Sequence, residues 1–299
     1  MSQFVSMTVA GQVAVITVDN PPVNALSSGV PEDIRDLVKA AERNPEIDAI
    51  VVIGAGSTFV SGTDLKDLAK VASGEKPPRN LRGIFAEIED TSKPVVMAIH
   101  GTALGAGLEL AMAGHYRVLA PSAKVGQPEV NLGLIPGAGG TQRLPRLAGM
   151  TKALEMCASG QPISARDAMA SGIADRILDG NLLESAVTFA EEIANRPITR
   201  TRERNSKFAN PDPAILEAIG AQARKAMRGR NAPMKAIEAV CAAAQVPFEE
   251  GCRMEADLFA QCLKSGESRG LIHAFFGERE VAKIPGIAKI GRASCRERV

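Results

Sequence analysis

Two glutamates separated by twenty residues carry the clearest chemical signal in this chain of 299 residues. Glu109 follows a glycine-rich stretch at residues 101–107, and Glu129 follows a Gly-Gln-Pro sequence at residues 126–128. Both carboxyl groups lie among small and apolar residues, where burial raises a carboxyl pKa toward neutral pH. A pair of carboxyl groups tuned in this way can act as general base and general acid.

Each glutamate also has an explanation without catalysis. A glutamate inside an apolar helix is rare unless it is paired or functional, so Glu109 could form a salt bridge with Arg117 or Arg143. Glu129 could cap a helix or belong to a turn. The spacing alone leaves these alternatives open.

Two glycine-containing turns could serve the same chemistry. The loop at residues 59–66 follows a strand and opens a helix, and residues 105–107 form a second strand-to-helix turn. Glycine lets backbone N–H groups approach a ligand closely, and helix N-termini favour negative charge. Two such N–H groups can form an oxyanion hole for a carbonyl oxygen. The alternative is an ordinary tight turn in each case.

Other sequence motifs argue against several chemistries. Residues 135–143 superficially resemble a dinucleotide fingerprint, but no strand directly precedes them and no well-placed acidic residue follows, so nicotinamide binding is rejected here. The chain has neither a Gly-Lys-Ser/Thr phosphate loop nor a Gly-x-Ser-x-Gly elbow. Its five cysteines show no metal-ligand spacing and are expected to be reduced thiols. No metal site is predicted.

Composition and charge narrow the class of protein. Hydrophobic residues make up 45% of the chain, enough for one large domain or two smaller ones. A net charge of +1 gives no electrostatic case for nucleic acid. No apolar run approaches the roughly 20 residues that span a membrane, and the first residues do not resemble a signal peptide. A cytoplasmic protein without nucleic-acid or membrane partners is therefore expected.

Hydrophobic periodicity predicts an α/β part followed by a mostly helical part, with the change near residue 140. The predicted strands are 13–18, 49–53, 94–99 and 116–120, with a further short strand at 173–177. The predicted helices of the first part are 31–41, 64–71, 81–89 and 105–113. Those of the second part are 152–158, 164–171, 182–194, 213–225, 233–245, 248–264 and 267–276. Ser164, three residues before Asp167, fits an N-cap.

The chain resembles the enoyl-CoA hydratase/isomerase, or crotonase, superfamily. The resemblance runs through about residues 10–195 in the order and spacing of that family. It rests on the stretches 20–26, 59–66, 103–111, 126–129 and 135–146. It implies a crotonase-like spiral of ββα units, followed by a helical C-terminal region, and an active site for an acyl-CoA thioester.

The same resemblance implies roles for particular residues. The backbone N–H groups of Thr63 and Ala106 would hold the thioester oxygen. Glu109 would activate water for attack at C3 of a 2-trans-enoyl thioester, and Glu129 would deliver a proton to C2. The residues expected to border the substrate and its CoA moiety are Ser61, Gly62, Asp64, Leu65 and Gly105. The chain itself needs no cofactor, because CoA is part of the substrate.

Two positions depart from the family pattern. Ala106 stands where relatives often have glycine, so its methyl group could crowd the thioester although its N–H still donates. Val23 stands where many relatives carry a basic residue toward the CoA phosphates, which leaves the phosphate contacts unassigned.

The C-terminal third resembles the end of the hydratase domain in multifunctional β-oxidation enzymes. Residues 274–279 and 284–286 are similar to the approach to their second half, an NAD-dependent 3-hydroxyacyl-CoA dehydrogenase. The last ten residues match the translation of a short-read sequencing adapter, with a natural basic tail as the alternative. The expected divisions are a catalytic core at 1–195, a helical region at 196–280, a linker at 281–289 and an adapter-derived tail at 290–299.

The predicted activity is the hydration of 2-trans-enoyl-CoA to 3-hydroxyacyl-CoA in fatty-acid β-oxidation. The alternatives are a 3,2-trans-enoyl-CoA isomerase and a catalytically silent acyl-CoA-binding subunit. Having both glutamates favours hydration, because isomerisation can proceed with one shuttling carboxylate. The expected partners are an acyl-CoA substrate and either two further copies of the chain in a homotrimer or a fused dehydrogenase domain.

Overall fold

A computed structural model describes residues 3–207 and 211–281 of the chain. Within these ranges the strands are β1 (Val5–Ala10), β2 (Val13–Val18), β3 (Ala49–Gly54), β4 (Val95–Ile99), β5 (Thr102–Leu104), β6 (Tyr116–Leu119), β7 (Lys124–Gly126), β8 (Ile163–Ser164) and β9 (Arg176–Ile177). The helices of the first part are α1 (Val30–Arg43), α2 (Leu65–Ala72), α3 (Leu81–Glu89), α4 (Ala106–Ala113) and α5 (Gly140–Ala148). The remaining helices are α6 (Met150–Ser159), α7 (Ala165–Ser171), α8 (Leu182–Ile193), α9 (Pro213–Ala226), α10 (Ala232–Gln245), α11 (Phe248–Leu263) and α12 (Gly266–Val281). Two short 3-10 helices cover Glu129–Leu132 and Thr201–Glu203.

Six strands form the central sheet in the order β1-β2-β3-β4-β6-β9. The β1 and β2 strands form an antiparallel hairpin, and the other neighbouring pairs are parallel. Every residue of β3 and β4 is buried, as expected of parallel strands that are covered on both faces. The strands β5, β7 and β8 form a smaller second sheet.

Successive side chains of the central strands enter two different cores, because a strand points alternate residues to opposite faces. Ile16 and Val52 belong to the larger core, which also contains apolar residues of α1, α3 and α4. Val15 and Val51 belong to the smaller core on the other face, together with Phe189 of α8. This α/β layering confirms the predicted fold class.

The helical C-terminal region packs against α5 and α6 and against two elements that precede them. Helix α10 packs against α5 and α6, and α11 packs against α5. Helix α12 lies against α2 and against the 3-10 helix at Glu129–Leu132. Helices from the far end of the chain therefore cover α5 and the 3-10 helix at Glu129–Leu132.

The predicted elements agree with the structure in most places. The predicted helices and strands begin and end within two residues of the observed ones, with two exceptions: α12 continues to Val281, and only Arg176–Ile177 of the predicted strand at 173–177 is a strand. The predicted cap is confirmed, since Ser164 Oγ accepts a hydrogen bond from Asp167 N at 3.1 Å. The strands β1, β5, β7 and β8 and the helix α5 were not predicted.

The structure describes only part of the predicted divisions at the C-terminal end. The tail at 290–299 and all but the first residue of the linker at 281–289 lie outside the described residues. The boundary at residue 195 stays a prediction. No helix in the described ranges is long and apolar enough to cross a membrane.

Candidate active site

Glu109 lies in the middle of the wholly buried helix α4 and is 2% exposed. Its Oε1 accepts hydrogen bonds from Ala138 N at 2.8 Å and from Gly140 N at 2.7 Å. Both donors belong to the glycine-rich loop that opens α5. Backbone N–H groups that converge on one carboxylate oxygen hold it in a fixed position and favour its ionised form.

The alternative in which Glu109 forms a salt bridge is wrong. Arg117 is fully buried and pairs with Asp175 at 2.9 Å. Arg143 is also fully buried and pairs with Glu89 at 2.7 Å. Because both arginines are engaged elsewhere, the Glu109 carboxylate is left to backbone donors.

Glu129 is the first residue of its 3-10 helix and faces the turn before α4. A Cβ atom on Gly105 would lie 2.9 Å from Glu129 Oε1, so the carboxyl group rests directly against this glycine. Gly105 also has a φ of 54°, a backbone conformation that residues with a side chain rarely adopt. The orientation of the Gln127 side-chain amide is set by the donors and acceptors around it. In that orientation its nitrogen donates to Glu129 Oε1 at 3.0 Å.

The pKa values of both glutamates are raised. Burial, followed by the negative charge of Glu255, raises the pKa of Glu109 to about 8. Burial and then the charge of Glu109 raise the pKa of Glu129 well above 4.5. Part of Glu129 is accessible to solvent, but protein atoms surround its carboxyl group. Two such carboxyl groups resist carrying two charges together, so ionisation of Glu109 keeps Glu129 protonated.

The two turns that carry Thr63 and Ala106 lie side by side. A Cβ atom on Gly62, whose φ is 112°, would lie 3.0 Å from Leu104 O and 3.9 Å from Ala106 N. Ala106 is the first residue of α4, where an N–H group has no acceptor within its own helix. Thr63 forms a parallel bridge with Leu26, in which the carbonyl of Gly62 accepts from Leu26 N. The expected oxyanion donors are thus on adjacent turns.

The other residues expected to border CoA line the start of α2. Asp64 caps this helix, since its Oδ1 accepts from Lys66 N at 2.8 Å. Leu65 is the first helical residue, and Ser61 N donates to Val23 O at 3.1 Å. Capping accounts for Asp64 without a ligand. The contacts of these residues with CoA stay a prediction.

Sequence reasoning missed a third carboxylate at this site. Glu255 of α11 is fully buried and accepts hydrogen bonds from the same glycine-rich loop. One signal was present in the sequence. Glu255 falls on the helical stripe that contains Gly251, Leu258 and Cys262, all of which are buried. An acidic residue on an apolar stripe of this kind indicates a buried polar contact.

The family of the chain follows from comparison with known proteins. The family model described as Enoyl-CoA hydratase/isomerase matches residues 8–227. The chain belongs to the enoyl-CoA hydratase/isomerase family. A solved enoyl-CoA hydratase from Bacillus anthracis is similar to 92% of this chain and 97% of its own, at 27% identity and a TM-score of 0.59. The expected crotonase-like fold is therefore confirmed.

Two curated relatives are considerably longer than this chain. The peroxisomal bifunctional enzyme of Danio rerio is 40% identical over 291 residues, which cover 95% of this chain and 40% of the relative. The glyoxysomal fatty acid beta-oxidation multifunctional protein MFP-a of Cucumis sativus is 39% identical and is matched over 93% of this chain and 40% of its own length. The chain thus spans about two fifths of these relatives. Their peroxisomal and glyoxysomal names give no support to the expected cytoplasmic location, which stays a prediction.

Proposed function

We propose that this chain adds water across the C2–C3 double bond of a 2-trans-enoyl-CoA and so forms a 3-hydroxyacyl-CoA. The observation that carries the proposal is that two buried carboxyl groups in one site have different hydrogen-bonding surroundings. Glu109 accepts two backbone N–H groups, whereas Glu129 is bordered by a glycine and an amide side chain. This inequality assigns the single negative charge to Glu109 and the proton to Glu129.

The assigned protonation states match the two halves of the hydration. Glu109, as the base, removes a proton from water while the oxygen forms a bond to C3. The electron pair of the double bond moves toward the thioester and is then used to bind a proton from Glu129 at C2. Water is consumed, one C–O bond and one C–H bond form, and no redox cofactor takes part.

The charge that develops on the thioester oxygen requires stabilisation. The N–H groups of Thr63 and Ala106 lie on neighbouring turns and are available to donate to this oxygen. Donors that are already in place stabilise such a charge strongly, because they do not need to reorganise during the reaction. The helix dipole of α4 acts in the same direction at Ala106.

The position of the reaction within a longer enzyme is a further part of the proposal. Relatives named as bifunctional or multifunctional are matched over about two fifths of their length. We infer that this chain corresponds to the hydratase portion of a fatty-acid β-oxidation enzyme. NAD would belong to a fused 3-hydroxyacyl-CoA dehydrogenase portion and not to the residues of this site.

The proposal is tested by following the absorbance of the enoyl thioester when the protein meets crotonyl-CoA. Wild-type protein is expected to remove this absorbance, and Glu109→Gln and Glu129→Gln are each expected to lower the rate by about 100-fold or more. Glu250→Gln provides the matched control, because Glu250 is an exposed glutamate of α11. Wild-type rates in both active-site variants would refute the assignment.

A further inference from the structure

The N–H groups of residues 138–141 alternate between two buried carboxylates. The first and third donate to Glu109. The second, Gly139 N, donates to Glu255 Oε1 at 2.6 Å, and the fourth, Thr141 N, donates to Glu255 Oε2 at 2.9 Å. The loop is therefore held from one side by α4 and from the other side by α11.

Burial raises the pKa of Glu255, and the hydrogen bonds around its carboxyl group oppose this by favouring the ionised form. Its Oε2 also accepts from Thr141 Oγ1 at 2.5 Å. That hydroxyl in turn accepts from Gln142 Nε2 at 2.9 Å, so its proton is directed at Glu255. Arg143, whose charge acts on Glu255, forms its ion pair with Glu89 instead. Three donors and the N-terminus of α5 therefore stabilise the charge of a fully buried carboxylate.

We propose that Glu255 is a positioning residue for Glu109. It fixes the loop whose other two N–H groups hold the Glu109 carboxylate, and so it sets where that carboxylate stands relative to the reacting water. The inference rests on the proposed hydration. It also assigns a role in the reaction to α11, which lies outside the expected catalytic core at 1–195.

The charge of Glu255 has a second effect on the same group. It adds to burial in raising the pKa of Glu109. Burial raises the thiol pKa of the neighbouring Cys157 and Cys252, so both thiols are neutral near pH 7 and contribute no charge. The titratable groups that face Glu255 from the packed elements are Glu109, Glu129, Arg143, Cys157 and Cys252.

Glu255→Gln separates these effects from simple folding. The amide keeps the size of the side chain and one accepting oxygen, but it removes the charge. We expect kcat for crotonyl-CoA to fall by about 10- to 100-fold, while KM changes by less than about threefold because Glu255 is fully buried and acts through the loop. In ¹³C NMR of labelled glutamate carboxyl groups, the Glu109 signal, assigned by its loss in Glu109→Gln, is expected to titrate at lower pH.

Glu255→Asp provides a second variant that keeps the charge. Its side chain is one methylene shorter and cannot hold Gly139 N and Thr141 N together. The expected result is a lower kcat with the titration of Glu109 left near its wild-type position. Glu250→Gln, on the exposed side of the same helix, is expected to leave kcat, KM and the titration unchanged.

The outcomes separate a failure of this inference from a failure of the proposed function. If wild-type protein hydrates crotonyl-CoA and both Glu255 variants match it in kcat and in the Glu109 titration, the positioning role is overturned alone. A rise in KM at unchanged kcat, or loss of folding in both variants, overturns it as well. If wild-type protein does not hydrate any enoyl-CoA but the Glu109 titration moves in Glu255→Gln, the hydration proposal fails and the coupling of the two glutamates stands.

Discussion

The carboxylate of Glu109 occupies the space that a side chain on Gly140 would need. A Cβ atom on Gly140 would lie 2.6 Å from Glu109 Oε1, and the Gly140 N–H donates to that same oxygen at 2.7 Å. Only a residue without a side chain can therefore bring its backbone this close to the carboxylate.

Gly140→Ala is expected to displace Glu109. The added methyl group would also lie 2.8 Å from Pro136 Cβ, so it cannot move away from the carboxylate without disturbing the loop. We expect kcat to fall by at least about 10-fold and the free energy of unfolding to fall by about 1–3 kcal/mol. Steady-state kinetics and urea denaturation measure both effects.

The matched control is Gly277→Ala in α12. Gly277 is exposed, and a Cβ atom there would meet nothing within 4 Å. Alanine is favoured over glycine in a helix, so this variant is expected to be as active as wild type and about 0.5–1 kcal/mol more stable. Equal losses in both variants would show that Gly140 has no special relation to Glu109.

The N–H group of Ala106 is expected to be required for turnover. Ala106→Pro removes this donor at a first helical position, where proline suits the backbone. A decrease in kcat of about 100- to 1000-fold is expected for loss of one oxyanion donor. Ala106→Gly keeps the donor and removes only the methyl group, so its kcat should stay within about threefold of wild type. Similar kcat values in the proline and glycine variants would contradict a donor role for this N–H.

The pH dependence of kcat/KM should be bell-shaped, and the pKa values of both its acid and its alkaline limb should lie above the ordinary glutamate value. Catalysis needs Glu109 ionised and Glu129 protonated, so activity rises as Glu109 loses its proton and falls as Glu129 loses its own. Burial raises the pKa of both groups above the ordinary value of 4.5. Initial rates with crotonyl-CoA between about pH 5 and about pH 10 measure the profile. An acid limb near the ordinary glutamate pKa would contradict the buried pair.

Glu109→Gln should make the protein more stable, and more so at alkaline pH. The pKa of Glu109 is raised in the folded state to about 8, so its contribution to stability is complete below its unfolded pKa and is lost as the pH rises through the folded value. Glutamine keeps the oxygen that accepts from Ala138 and Gly140, but it never has to ionise. Each unit of pKa shift corresponds to about 1.4 kcal/mol, an effect that thermal melts can detect.

The comparison needs melts of wild type and variant at about pH 5 and at about pH 8, on either side of most of the expected change. The gain in Tm of Glu109→Gln should be larger at the higher pH. The control Glu250→Gln, at an exposed position, should show no such difference. An equal gain in Tm at both pH values would mean that the charge of Glu109 does not destabilise the folded protein.

Most of the fold could be predicted because its signals are local. The strands β2, β3 and β4 are apolar runs buried on both faces, and α3 has the predicted bounds. The strand β1 was missed because it is an edge strand in which Val5 is the one buried residue, so it lacks the continuous apolar run of the inner strands. The helix α5 was missed because Gly139 is its N-cap, Gly140 is its first residue and Pro145 lies inside it, and glycine and proline are both poor helix formers.

The candidate site could be predicted only where its residues lie in the stretches that resemble the enoyl-CoA hydratase/isomerase family. Glu109 and Glu129 stand within these stretches, and the structure brings them close enough for the charge of Glu109 to raise the pKa of Glu129. The sequence could not show that Arg143 is engaged by Glu89 instead of Glu109, because the choice depends on packing between distant segments. Glu255 reaches the site from more than a hundred residues away, a contact that no local spacing encodes.

The most direct test of the central claim is the mass of the product formed from crotonyl-CoA in water enriched with oxygen-18. Addition of water by Glu109 and Glu129 predicts a thioester product that is heavier than the substrate by one molecule of labelled water. Neither Glu109→Gln nor Glu129→Gln should form this product at an appreciable rate. A wild-type product of unchanged mass, or labelled product formed equally fast by both variants, would contradict hydration by two carboxyl groups.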